Sequence, residues 1–460
     1  MIQNAALAAM VKMIARMYQS QDVFGKLLRE RCCRHAIPYL IKLIHIWRVL
    51  IDMKNKHIMF VDKNKVVNYS GGVEKVICSF ANEFVGRGYY VSILCLDTEF
   101  GQPHFELDNR VRFINLCYSY SNMKYNGIAY LLKKAQREVM RLFLGKKLSR
   151  WGIHIEDPRE HYFYREFASR LRKCIKDIQP DIILPTDVEA TTVVIDVLDK
   201  LQMSDVKVIS MCHSDPSRLE YRENYIQALR KCTAVQVLLP IYKTFFINKG
   251  INNVIVIPNG IEQVDDGAIR NLNKCNKKII CVGRVDGAGK RQHLLIEAFA
   301  MIADKYPDWS VHFYGDVANK RYKKKLDNMI DNYGLSDRII FEGTTREMQK
   351  VLLEADIFAF PTEYEGLSMS LLEAMTAGLP VLAFKECRSI SSMVKDDEDG
   401  VLSDTGVNAY MVCLEKMITD VELRVRLGKI AHENAKKFNP INIWNIWNNY
   451  LIKLMKGECQ

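Results

Sequence analysis

Two glutamates in the stretch FPTEYEGLSMSLLEAMTAGLP, residues 360–380, are the residues whose types and spacing most directly point to chemistry. An apolar strand ends at Phe360 and a turn follows that carries Glu363 and Glu365. The spacing predicts a helix from about Ser368 to Ala377, capped by Gly378 and blocked from continuing by Pro380. Glu365 then stands just before a helix N-terminus and Glu373 lies inside the helix. The free N–H groups around Leu367, Ser368 and Met369 form a ready site for an anion such as a phosphate. A carboxylate beside an anion site is wasteful unless the ligand also offers hydroxyls. A nucleotide sugar offers both.

A second group sits in GRVDGAGKRQH, residues 283–293, directly after the apolar run Ile279–Val282. Gly283 opens it, and Arg284 and Lys290 supply two cations, which suit a pyrophosphate; arginine can grip such a group with two hydrogen bonds. Gly71 and Gly72, after the run from Ile58 to Val61, let backbone come close to a ligand at the start of a helix. His213, after the run Val206–Met211, is expected to face the same place. Two tempting motifs fall away. Gly287-Ala288-Gly289-Lys290 lacks the Ser or Thr that follows the lysine of a P-loop, and Asp397-Glu398-Asp399 lies in a charged turn before Gly400.

These residues need a scaffold, and the chain supplies its grammar. From Lys56 onward, short apolar runs alternate with helical patterns: Ile58–Val61, Val91–Leu96, Ile182–Leu184, Val206–Met211, Val235–Leu239 and Val254–Ile257 read as strands. A break at Pro258-Asn259-Gly260 leads through a polar stretch to Lys278. The pattern then restarts with Lys278–Val282, Val311–Tyr314, Ile339–Phe341, Ile357–Phe360 and Val381–Phe384. The reading is α/β: two Rossmann-like, doubly wound domains facing a cleft, with strand C-termini toward it. The boundaries are 1–55 for a basic amphipathic helical extension, 56–262 for the first domain and 276–438 for the second. Residues 439–456 form a terminal helix, rich in aromatics, expected to pack back on the first domain.

Composition narrows the setting. Among 460 residues, 48% are hydrophobic and 26% charged, which excludes a disordered tail or a small disulfide scaffold. Thirteen cysteines without a CxxC exclude zinc ribbons and fit a reducing compartment. No uninterrupted apolar run is long enough to span a membrane, and the N-terminus does not read as a signal peptide. The net charge of +11 is concentrated: residues 1–56 and 124–150 each carry +7, leaving the rest slightly acidic. Both segments pattern as amphipathic helices. In the second, Ile128, Leu131, Leu132, Ala135, Val139, Leu142 and Phe143 form one stripe, with Lys133, Lys134, Arg137 and Arg141 beside it. Such helices lie on anionic membranes, gaining about 1 kcal/mol per basic residue near the lipid. The competing reading is a basic face on a helix packed against its own domain. Nothing accompanies the charge that reads as a nucleic-acid module.

Taken together, VIPNGI at 256–261, Gly283/Arg284/Lys290, YGD at 314–316, FEG at 341–343 and EGLSMSLLEAMTAGLPV at 365–381 resemble the retaining GT-B glycosyltransferases of family 4, whose E-x7-E signature matches Glu365 and Glu373. The resemblance covers roughly residues 56–455 and is densest in the second domain. It implies that Arg284 and Lys290 neutralise the donor diphosphate and stabilise it as a leaving group. It further implies that Glu365 and His213 contact the transferring sugar and that Glu373 binds the ribose hydroxyls. Gly71, Gly72, Gly283, Gly343 and the N–H groups of Leu367, Ser368 and Met369 would then complete the donor site, with no metal and no cofactor. Two departures stand out: the gap from Arg284 to Lys290 is one residue longer than usual, and Arg291 stands where glycine is frequent.

The expectation is therefore a retaining, metal-independent transfer of a hexose from a nucleoside-diphosphate sugar, UDP favoured over GDP, to a glycan acceptor. The acceptor is expected to be lipid-linked and to belong to cell-surface polysaccharide synthesis. The protein is placed in the cytoplasm, peripheral on the membrane through residues 1–55 and 124–150. The competing readings are a GT-B sugar phosphorylase, a nucleotide-sugar epimerase, and a non-catalytic membrane-associated scaffold.

Overall fold

The structure, a computed structural model, describes residues 56–63, 66–69, 71–116, 128, 131–140, 158–219, 221–271 and 273–458. The anticipated extension 1–55 lies outside the described residues, as do 124–127, 129–130 and 141–150 of the second basic segment.

The first domain comprises β1 (His57–Asp62), α1 (Gly72–Gly86), β2 (Tyr90–Cys95), β3 (Arg112–Asn115), α2 (Pro158–Ile178), β4 (Ile182–Pro185), α3 (Val188–Leu201), β5 (Lys207–Cys212), α4 (Glu223–Lys231), β6 (Ala234–Val237), α5 (Pro240–Ile247) and β7 (Val254–Val256). The second runs through β8 (Lys278–Val282), α6 (Gln292–Ala300), β9 (Ser310–Tyr314), α7 (Lys320–Asn332), β10 (Ile339–Gly343), α8 (Met348–Leu353), β11 (Ile357–Phe360), α9 (Met369–Thr376), β12 (Val381–Phe384), α10 (Arg388–Ser391), β13 (Gly400–Ser403), α11 (Val407–Thr419) and α12 (Val421–Ala435). The chain ends in α13 (Pro440–Met455).

The sheets are ordered β3-β2-β1-β4-β5-β6-β7 and β10-β9-β8-β11-β12-β13. Their strand pairs are parallel; Ile58 stands beside Val91 and Ile182, and Ile279 beside Val311 and Ile357. Parallel strands are covered on both faces, which is why β1 and β11 read as unbroken apolar runs rather than alternating ones. In both sheets the order reverses beside the first strand, between β1 and β4 and between β8 and β11. A crevice opens at such a switch point, and the loops after these strands border it.

Two strands escaped the sequence reading. β3 (RFIN) is an edge strand with partly exposed residues, and β13 (GVLS) is too short and too polar at its end to stand out.

The apolar clusters show how the parts are joined. One face of the first sheet buries Phe60, Phe80 and Phe84 against Trp444, Trp447 and Leu451 of α13. Phe80 meets both indoles edge-on at 5.3 and 5.2 Å, and the Tyr89 hydroxyl donates to Asn448 at 3.0 Å. The chain thus crosses between domains twice, once on either side of the second domain. A further cluster is continuous across the interface: Leu239, Tyr242 and Phe246 of the first domain pack with Leu367, Leu371 and Met375 of the second.

Residues 131–140 are helical, and the apolar stripe read from the sequence points to solvent. Ile128, Leu131, Leu132 and Val139 are 77, 61, 65 and 53% exposed. Arg137 on the same helix is 18% exposed and pairs with Glu138 at 2.5 Å. None of the described helices is long and apolar enough to cross a membrane.

Candidate active site

Loops from both switch points meet in the crevice. After β11 the chain makes the Glu363–Glu365 turn and enters α9, whose N-cap Ser368 accepts a hydrogen bond from the Leu371 N–H at 3.3 Å. Ser370 Oγ donates to the Val282 carbonyl at 3.3 Å, tying the first turn of α9 to the end of β8. The first N–H groups of a helix lack intrahelical acceptors, so those of α9 face the crevice as an anion site. Gly378, with φ +77°, ends this helix in the left-handed conformation anticipated for it.

Lys290 Nζ lies 2.5 Å from Glu365 Oε1, which also accepts from Thr362 Oγ1 at 2.8 Å. The lysine side chain passes over Gly283, where a Cβ would sit 3.2 Å from Lys290 Cδ, and its ammonium stands 4.9 Å from the Phe360 ring. Glycine at 283 is thereby explained: it makes room for the cation. Arg291 occupies the left-handed region at φ +46°, which accounts for the usual glycine there. Its guanidinium holds the Pro361 and Thr362 carbonyls at 2.9 and 3.3 Å and Glu386 at 2.5 Å, and packs over Phe384 at 4.7 Å.

The crevice is bridged by residues from opposite sides. Lys75, in the first turn of α1, reaches Glu373 Oε1 at 2.7 Å. Arg284 Nη1 donates to the Tyr69 hydroxyl at 2.9 Å, and Arg218 pairs with Glu363 at 2.5 Å while lying over the Tyr364 ring at 4.3 Å. The Tyr242 hydroxyl contacts the carbonyls of Glu365 and Gly366 at 2.7 and 2.9 Å. Gly366 is required by approach, because a Cβ there would overlap the His213 carbonyl. Gly72 faces Met369, whose Cγ would be 3.7 Å from a Cβ at 72. The N-termini of α1 and α9 therefore point toward the same space.

His213 and Glu74 are shifted in ways that set their charge near neutral pH. His213 Nε2 is sealed from solvent with no hydrogen-bond partner, and burial lowers the imidazole to about 4. It is a neutral ring near neutral pH, with one nitrogen unpartnered. Glu74, the third residue of α1, is 5% exposed. Burial pushes its carboxyl up to about 7, against a hydrogen bond from its own backbone N–H; buried Asp62 at the end of β1 raises it and Arg284 lowers it.

The structure thus gathers Glu365, Glu373, Arg284, Lys290, His213, Gly71, Gly72, Gly283, Leu367, Ser368 and Met369 around one crevice. Gly343, at the end of edge strand β10 with φ +75°, adjoins them through Gly315: its carbonyl accepts from the Gly315 N–H at 2.8 Å, and Gly315 abuts the Gly283 carbonyl. Sequence reasoning missed Tyr69, Glu74, Lys75, Arg218 and Tyr242. Glu74 and Lys75 were in plain view within GGVEK, but Lys75 meets Glu373 and Glu74 meets Arg284 only across the crevice.

The rejected motifs are structural. Gly287 packs under Tyr322, and Asp399 is fully buried, accepting from the Lys395 N–H at 2.6 Å and the Asn434 side chain at 2.7 Å. A further cluster, Asp266, His432 and Glu433, already holds the Lys436 ammonium at 2.8 Å from both carboxylates.

Residues 265–434 match the family described as glycosyl transferases group 1. An uncharacterised glycosyltransferase of Haemophilus influenzae is 22% identical over 390 residues, covering 84% of this chain and 97% of that protein. The poly(ribitol-phosphate) alpha-N-acetylglucosaminyltransferase of Staphylococcus aureus is 26% identical over 241 residues, 51% of this chain and 47% of its own. Among solved structures, a mutant of S. aureus TarM in complex with fondaparinux, alpha-GlcNAc-glycerol and UDP superposes with a TM-score of 0.65 at 16% identity. That match covers 86% of this chain and 99% of that one.

Proposed function

We propose that the chain, which has the GT-B fold and matches the group 1 glycosyl transferases over residues 265–434, is a glycosyltransferase that moves a hexose from a nucleoside-diphosphate sugar to a glycan acceptor with retention of configuration. The observation that carries the reading is the Lys290–Glu365 pair at the N-terminus of α9. One cation for a diphosphate and one carboxylate for sugar hydroxyls are held against each other at the wall of the crevice. Each gains a partner when a nucleotide sugar enters.

In this reading the diphosphate lies on the first N–H groups of α9, between Arg284 and Lys290. Breaking the sugar–phosphate bond builds negative charge on the leaving phosphate and positive charge on the sugar. Preorganised cations and N–H groups stabilise the former at little reorganisation cost. Glu365 orients the sugar hydroxyls, and neutral His213, whose backbone abuts Gly366 next to Glu365, borders the same sugar. Glu373 releases Lys75 to take the ribose hydroxyls. The acceptor hydroxyl attacks from the face the phosphate leaves, and the departing phosphate oxygen takes its proton. Two side-chain cations and a helix end neutralise the leaving group here, which supports a site that works without a metal. UDP is the favoured diphosphate, supported by its presence in the TarM complex.

The acceptor in this proposal is a cell-surface glycan carried on a membrane lipid. Support comes from the ribitol-phosphate polymer on which the S. aureus relative acts, and from the exposed stripe of Ile128, Leu131, Leu132 and Val139 beside Lys133 and Lys134. An apolar stripe flanked by cations suits the anionic cytoplasmic leaflet, where it would hold the enzyme near a lipid-linked substrate.

The test is a thermal-shift panel of UDP, GDP, ADP and TDP with EDTA present throughout. Stabilisation by one of them, abolished in Lys290→Ala, is the expected result. No shift from any nucleotide, or stabilisation only after a divalent metal is restored, would contradict the proposed donor site.

A further inference from the structure

Glu74 has no part in the reading above, yet it stands where the two domains meet. Its carboxylate fills the space that a Cβ on Gly71 would need, and the Tyr69 ring closes the same space at 2.7 Å. Asp62 faces it from the end of β1, fully buried, and Cys78 lies one turn further along α1. From the second domain comes Arg284, held by the Tyr69 hydroxyl at 2.9 Å. Lys75, the next residue on α1, is committed to Glu373 at 2.7 Å. The carboxylate therefore sits near the N-terminal N–H groups of α1, a place where an anion is favoured. It shares that place with a second buried acid.

A diphosphate on the N-terminus of α9 arrives beside this carboxylate, because the starts of α1 and α9 approach each other at Gly72 and Met369. The two anions then compete for Arg284 and the same helix end. Glu74 has little room to swing away under Gly71 and Tyr69. Binding a proton needs no movement, removes the repulsion, and turns an oxygen that only accepts hydrogen bonds into a donor.

We infer that Glu74 is a proton-linked residue of the donor site: it takes one proton from solvent when a nucleoside diphosphate enters the crevice and directs the resulting O–H toward a diphosphate oxygen. The inference rests on the diphosphate lying between α9, Arg284 and Lys290. The position of the carboxyl supports it further, since burial and Asp62 already hold the group up to about 7, close to the point of protonation.

The experiment is isothermal titration of the full chain with UDP, or with GDP if that is the diphosphate bound, at pH 8 in buffers of different ionisation enthalpy. The wild type is expected to take up close to one proton per nucleotide, and its affinity to fall about tenfold per pH unit above pH 8. Glu74→Gln, shown to be folded by its melting curve, is expected to take up none and to bind with an affinity flat over that range. Binding by the wild type without proton uptake overturns the role of Glu74 and leaves the donor site standing, and that arm needs no variant. Equal uptake in Glu74→Gln does the same. Failure of every nucleoside diphosphate to bind overturns both.

Discussion

Lys290 and Glu365 illustrate how much rests on single side chains here, since each is the other's partner until a ligand separates them. Removing the cation forfeits charge-assisted hydrogen bonds to the leaving phosphate, so Lys290→Ala is expected to lower kcat/KM by about 1.5–3 kcal/mol, roughly 10- to 150-fold. Steady-state kinetics on the donor identified by thermal shift checks it; an unchanged kcat/KM would remove Lys290 from the diphosphate. Glu74 makes a separate prediction about stability. Its carboxyl is held up to about 7 in the folded protein against an ordinary value of 4.5. The folded state therefore binds more protons than the unfolded one between those values, and stability declines as pH rises through that window. By pH 8 the buried charge costs on the order of 3 kcal/mol, and Glu74→Gln should melt higher than wild type there and much less so near pH 4. Identical melting differences at both pH values would contradict this. Glu365, Glu373, Arg284 and Lys290 were legible because each follows a strand at a fixed offset in its own domain. Lys75 was not, because it meets Glu373 across 298 residues of sequence and only the closed crevice gives it meaning.

The loop 283–291 and the turn 361–365 are separate in sequence, and one side chain links them. Arg291 accepts an unfavourable left-handed backbone, worth about 1–2 kcal/mol for a residue with a Cβ. In exchange it binds two carbonyls of the turn and the Glu386 carboxylate. Arg291→Gly relieves the backbone but frees the turn that carries Glu365, so the expected outcome is a lower melting temperature and a drop in kcat/KM of about tenfold. A higher melting temperature with full activity would show that the guanidinium contacts count for less than the strain. At this scale the sequence spoke clearly wherever a strand was buried on both faces, as in β1, β8, β11 and β12, because parallel burial demands an unbroken apolar run. It was silent at β3 and β13, where edge position or brevity removes that demand. The cap of α9 was readable from Ser368 and Gly378, since their chemistry is local.

Across the whole molecule the domains are held by an apolar cluster, by paired charges over the crevice and by two chain crossings. The exposed helix is the surface through which the enzyme is proposed to meet lipid. Leu131→Asp with Leu132→Asp is expected to weaken cosedimentation with anionic vesicles at least tenfold while leaving the nucleotide-induced thermal shift intact. Undiminished sedimentation would move the membrane role to residues 1–55. In α13, Trp447→Ala removes an indole packed on Phe80 and should destabilise by about 3–5 kcal/mol, read as a denaturation midpoint shift in the first domain rather than the second. That return of the final helix also sets an order of assembly during synthesis. The first domain emerges from the ribosome with Phe80 and Phe84 uncovered, and their cover is not made until Pro440–Met455 has been translated. Chains released early lack the lid of the domain that was built first. In a nascent-chain proteolysis series, chains arrested before residue 440 should be protease-sensitive in the earlier half, and chains carrying a tunnel-filling linker after residue 455 should be resistant.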